Sequence, residues 1–74
     1  MRLTGRQLAI LRRLARDAGT GCISADVGRQ LLRKGLIFRH DRDYHRVEWG
    51  KVVATLWRVT LTSAGQAVSQ QEHV

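Results

Sequence analysis

At Gly35 the hydrophobic period of this chain changes, and no other feature restricts its fold as much. Apolar residues before that glycine recur at intervals of three and four, the spacing of one helix face. Those after it gather into short β-branched and aromatic runs that alternate. Helices followed by strands predict an α+β domain rather than a bundle or a sandwich. The 74 residues leave room for a single domain over 1–74, ordered over about 4–69, and folding would hide only about 60% of the extended chain's surface.

The first helix is expected to begin at Thr4. Thr4-x-x-Gln7 is a capping box, in which each side chain satisfies the other residue's orphan backbone N–H, and Leu3 and Leu8 occupy the flanking staple positions. Leu8, Leu11, Leu14, Ala15 and Ala18 form an apolar stripe, and Gly19 supplies the stop. Arg6, Arg12, Arg13 and Arg16 project from the other side, which reads as the solvent face of an amphipathic helix.

A second helix of about eleven residues opens at Ser24 as N-cap, carries Asp26 where the helix dipole favours an anion, and ends with Arg33, Lys34 and Gly35. A step of about 100° per residue turns Val27, Gly28, Leu31 and Leu32 inward and Asp26, Arg29, Gln30 and Arg33 outward. Glycine on a buried helix face is costly unless another backbone passes close by, so Gly28 is expected at a helix crossing.

Leu36-Ile37-Phe38 then gives a short strand signal, and Val52 to Thr60 a longer one. Trp57, Val59 and Leu61 alternate with Leu56, Arg58 and Thr60, so Trp57, Val59, Leu61 and Phe38 are expected in the core. Between the strands lies a charged segment from Arg39 to Lys51, in which Trp49-Gly50-Lys51 is a candidate second hairpin turn. Thr62 or Ser63 caps a last helix, with Ser63-x-x-Gln66 as a second capping box and Ala64, Ala67 and Val68 as its apolar side. Gln70 to Val74 is expected to fray.

Thirteen Lys and Arg against six Asp and Glu leave a net charge of +7 on a chain that is 43% hydrophobic. Such a chain is a folded basic domain and not a disordered tail. It lacks the spread of polar groups that a reaction centre needs, and its spacing offers neither a Ser-His-Asp set nor paired carboxylates, so binding is expected rather than catalysis. The single cysteine, Cys22, excludes an internal disulfide and fits a reducing cytoplasm, where it is expected to be a small buried hydrophobe. Cys22, His40, His45 and His73 lack the close ligand pairs of a zinc site, and no cofactor or metal is expected. Arg2, Arg6, Arg12, Arg13 and Arg16 interrupt any secretion signal, and no run approaches the roughly 18 apolar residues of a membrane span, so no membrane partner is expected.

Leu31-Leu-Arg-Lys-Gly-Leu-Ile37 is similar to the end of the recognition helix and first wing strand of MarR- and PadR-type regulators. Leu61-Thr62-Ser63-Ala64-Gly65 is similar to the close of their wing. Taken with the first helix, the chain resembles the winged helix-turn-helix family over most of residues 4–68. The resemblance implies a small domain of two helices, a β-hairpin wing and a C-terminal helix. Two departures stand out: Ala18 to Ile23 is too short for the extra helix those families place there, so the helix-turn-helix is abbreviated. The segment from Arg39 to Thr55 also exceeds a simple wing.

The function this implies is binding of double-stranded DNA, as a small transcriptional regulator of a bacterium or mobile element. The helix over 24–34 would enter a major groove with Arg29, Gln30 and Arg33 outward, arginine pairing with guanine and Gln30 with adenine, and Lys34 beside them. Arg39, Arg42, His45, Arg46 and Lys51, with His40, would meet phosphates from the basic wing, partly neutralised by Asp41, Asp43 and Glu48. Tyr44 and Trp49 either stack on a ligand or shield the base of the hairpin. A second reading is an interaction protein, of the kind a phage uses as an inhibitor, that binds a host protein or nucleoprotein complex through the altered surface. A homodimer is compatible with both, through the short terminal helices.

Overall fold

The Thr4 capping box forms as its spacing predicts. Thr4 Oγ1 accepts the Gln7 backbone N–H and Gln7 Oε1 accepts that of Thr4, both at 3.1 Å, opening helix α1 over Gly5–Arg16. This computed structural model describes residues 2–70. Of the segment expected to fray, Gln70 is the C-cap of the last helix, its N–H bonded to the Ala67 carbonyl, and 71–74, with His73, lie outside the described residues. After α1 come β1 (Thr20–Ser24), α2 (Ala25–Arg33), β2 (Ile37–Glu48), β3 (Lys51–Leu61) and α3 (Ser63–Ser69). The strands make one antiparallel sheet in the order β1-β3-β2.

The segment after α1 is more than a connector. Gly21 and Ile23 pair with Val59 and Trp57 and share their face, so five residues with too few positions to declare a period become an edge strand. Ile23, Ile37, Trp57, Val59 and Leu61 turn toward the helices and pack on Leu11 and Leu14 of α1 and on Val27 and Leu31 of α2. The opposite face of the sheet carries Cys22, Phe38, Tyr44 and Arg58, and among the described residues no helix covers it. That placement corrects two expectations: Phe38 is 61% exposed rather than core, and Cys22 is exposed rather than buried. Both follow from register, because Phe38 pairs with Thr60 and Cys22 with Arg58, on the side away from Val59.

The charged segment is strand, and the chain turns at Trp49-Gly50 as expected, although the turn closes one long hairpin rather than a second one. β2 and β3 form one long hairpin whose turn is Trp49-Gly50, with φ of 53° and 75°. Two irregularities bend it: β2 advances from Arg39 to Asp43 while β3 advances only from Val59 to Trp57, and a second shift follows Arg46. Every residue of β2 beyond Ile37 is exposed, so most of the hairpin stands clear of the core as an arm.

The helices also depart from expectation in detail. Gly28 faces an aromatic ring and not another helix: a Cβ there would sit 2.6 Å from Trp57 Cε3. Leu32 is 41% exposed because the buried stripe of α2 is narrow, formed by Ala25, Val27, Gly28 and Leu31. Ser24 is the N-cap residue of α2, but its side chain makes no capping hydrogen bond. Thr62 caps α3, accepting the Gly65 N–H at 3.0 Å, so Ser63 is already helical and the Ser63–Gln66 box does not form. Gly65 and Ser69 then turn inward with Val68 against the core, while Ala64 and Ala67 face solvent.

Candidate nucleic-acid interface

Trp57 organises the basic surface. Its register opposite Ile23 buries it to 7% exposure, and the missing side chain of Gly28 lets α2 lie directly on the ring. One helical step further, Arg29 reaches over that ring, its guanidinium carbon 5.6 Å from the centroid. From the arm, Arg39 reaches the same ring at 4.3 Å. Both distances fall within the roughly 6 Å over which a ring quadrupole attracts a cation. A helix residue and a hairpin residue, far apart in an extended chain, are therefore held beside each other by one indole.

Each arginine also has a carboxylate on its own element. Arg29 Nη1 bonds Asp26 Oδ1 at 2.9 Å, and Arg39 Nη2 bonds Asp43 Oδ1. These pairs are solvent-exposed and worth at most about 1 kcal/mol, so a phosphate can compete for either guanidinium. An open cleft runs between Asp26 and Arg29 on one wall and Val53 and Thr55 of β3 on the other. His45 Nδ1 lies 3.3 Å from Oγ1 of Thr55 in that wall.

The remaining candidates divide. Arg33 is exposed on α2 and Arg42 on the arm, and among the described residues neither side chain makes an ion pair or hydrogen bond. Gln30 and Lys34 turn toward α1 instead: Gln7 Nε2 donates to Gln30 Oε1 at 2.7 Å, and Lys34 Nζ donates to the Arg2 carbonyl at 2.8 Å. Arg46 pairs with Ala54, on the sheet face opposite Trp57, and bonds Glu48 Oε1 at 2.6 Å. Lys51 lies at the tip, opposite Glu48. Arg29 and Arg39 thus share the Trp57 ring, Arg33 follows Arg29 one turn along α2, His45 pairs with Thr55 on the Trp57 face, and Arg42 is exposed on the irregular stretch of β2, whereas Gln30, Lys34 and Arg46 are directed elsewhere.

Two features escaped the sequence reading. Trp57 is core, as its alternation implies, yet it is also the platform for both arginines. The open sheet face sets Arg58 between the Phe38 and Tyr44 rows. Only strand register reveals either arrangement. On α1, Arg13 Nη2 donates to the Cys22 carbonyl at 2.9 Å, bracing the edge strand rather than serving only as a solvent-side charge.

Among the described residues no cluster of His, Cys, Asp and Glu is placed to hold a metal ion, and no helix is long and apolar enough to cross a membrane. Comparison with protein-family models, with curated proteins and with solved structures finds no match.

Proposed function

We propose that this chain is a duplex DNA-binding module of abbreviated winged-helix form, acting as a small transcriptional regulator. The observation that carries the reading is the meeting of Arg29 and Arg39 on Trp57, which joins helix and arm into one cationic surface. The β1-β3-β2 order, with α2 entering the hairpin directly, supports the winged-helix form; a single helix between β1 and β2 accounts for the abbreviation. In this reading Arg29 and Arg33 face the bases of a major groove, and Arg39, Arg42 and His45 meet the flanking phosphates. Gln30, bonded to Gln7, contributes less to base readout than the two arginines.

Titration of mixed-sequence and selected duplexes across salt concentrations tests this. Phosphate contacts by Arg39 and Arg42 correspond to a slope of log affinity on log salt of about −1.8. Arg33→Ala should relax base preference, whereas Arg42→Ala should weaken all sequences alike and flatten the slope by about one unit. Absence of binding by the folded chain at low salt removes the proposal and leaves the protein-partner reading.

A further inference from the structure

Trp49 is 99% exposed, and its backbone has φ of 53°. Each property is unfavourable for folding. The first position of such a turn suits asparagine, aspartate or glycine, because left-handed backbone is strained for a bulky side chain. A fully exposed indole also returns nothing to the core. Val47, Val52 and Val53 surround it, each more than half exposed, with Val47 directly opposite Val52. Strain and apolar exposure concentrated at one tip point to a function outside the fold.

The position of the tip narrows that function. Trp57 of β3 and Gly50 of the turn are seven residues apart, so the tip stands about 23 Å beyond the Arg29–Arg39 surface at about 3.3 Å per residue. The molecule is correspondingly long, 43 × 23 × 22 Å. A major groove is about 12 Å wide. An arm of that length is long enough to pass from such a groove over the bordering phosphates to the neighbouring groove. Near Trp49 in sequence, Arg46 and Lys51 outnumber Glu48, which bonds Arg46, and this local excess of cations suits a polyanion.

We infer that the hairpin tip is a wedge: the Trp49 indole inserts at a base-pair step of duplex DNA, unstacks it and kinks the duplex, with Val47 and Val52 against the sugars. This rests on the duplex-binding reading and adds a deformation activity to it. Steps that open readily, such as TA and CA, are the expected targets.

The test uses the whole chain and a short duplex carrying 2-aminopurine at a central TA step. Trp49→Asn suits the turn and preserves the fold, while Trp49→Phe keeps an apolar ring. Native protein should raise the 2-aminopurine emission; Trp49→Asn should abolish the rise and weaken binding at least about fivefold, as loss of one stacked aromatic does. Trp49→Phe should retain part of both. Unchanged emission and affinity in Trp49→Asn, beside weakened binding by Arg39→Ala, overturns the wedge and leaves the duplex-binding reading standing. No binding by native protein at low salt overturns both. Insertion of Trp49 into phosphatidylserine vesicles, with duplex binding indifferent to Trp49→Asn, overturns the wedge in favour of a lipid surface.

Discussion

The guanidinium carbon of Arg39 lies 4.3 Å from the centroid of Trp57, while Nη2 of the same side chain is held by Asp43. The ring fixes where the cation sits, and the carboxylate offsets part of its charge. Asp43→Asn removes the second effect and leaves the first. It should tighten duplex binding at low salt about threefold to tenfold, the gain shrinking as salt rises. Folding stability should change by less than about 1 kcal/mol, because the pair is exposed. Fluorescence anisotropy beside urea melts separates the two effects.

Gly28→Ala sets helix propensity against packing. Alanine favours the helix by about 1 kcal/mol, but its Cβ would lie 2.6 Å from the buried Trp57 ring, which has no room to retreat. Packing should win, with a net destabilisation of about 1–2 kcal/mol. Gly65→Ala is worse: its Cβ would lie 2.0 Å from the Leu36 carbonyl oxygen, and backbone does not move aside as a side chain can. A loss of about 3 kcal/mol is expected. Chemical denaturation with Trp57 emission as the probe ranks the two.

Thr4→Ala and Ser24→Ala look equivalent as a pair of N-cap substitutions, and the structure distinguishes them. Thr4 accepts a capping bond and its loss should cost about 1 kcal/mol. Ser24 makes no such bond, so Ser24→Ala should stay within about 0.5 kcal/mol of native. Thermal melts of the two variants check this.

Trp49→Asn should raise stability by about 0.5–1 kcal/mol, since it relieves left-handed strain at a side chain that packs on nothing. For a domain of this size that corresponds to a melting temperature higher by roughly 2–8 °C. A lower melting temperature would show that the indole supports the hairpin itself.

How much was legible from the residues can be traced position by position. The Thr4 box, the Gly35 stop and the Leu8, Leu11, Leu14 and Ala15 part of the α1 stripe were readable because each depends on neighbours within one or two helical turns. By contrast α1 ends at Arg16, three residues before Gly19, and Ala18, expected on the stripe, lies beyond it, exposed with φ of 63°. The α+β order was readable because periods of 3.6 and 2 differ over a few residues. Phe38 and Leu32 were misassigned for the opposite reason: an apolar residue beside a face is not yet on it. The narrow stripe of α2 and the pairing of Phe38 with Thr60 put both outside. β1 and the run of β2 through the charged residues 39–48 were missed because short or charged strands declare themselves only through partners, whereas the hairpin and its turn at Trp49-Gly50 were readable.

Of the candidate site, cationic character was set by composition, and the identities of Arg29 and Arg39 were visible as outward-facing charges. Their meeting on Trp57, and the withdrawal of Gln30 and Lys34 toward Gln7 and the Arg2 carbonyl, were not. The amino-acid order by itself determined where helices start and stop, that strands follow them, and that the surface carries excess positive charge, because capping, periodicity and charge are local or additive. Tertiary structure alone decided which charges share a face. Strand register and the approach of α2 to the sheet through Gly28 are products of packing between distant segments, and no local spacing encodes them.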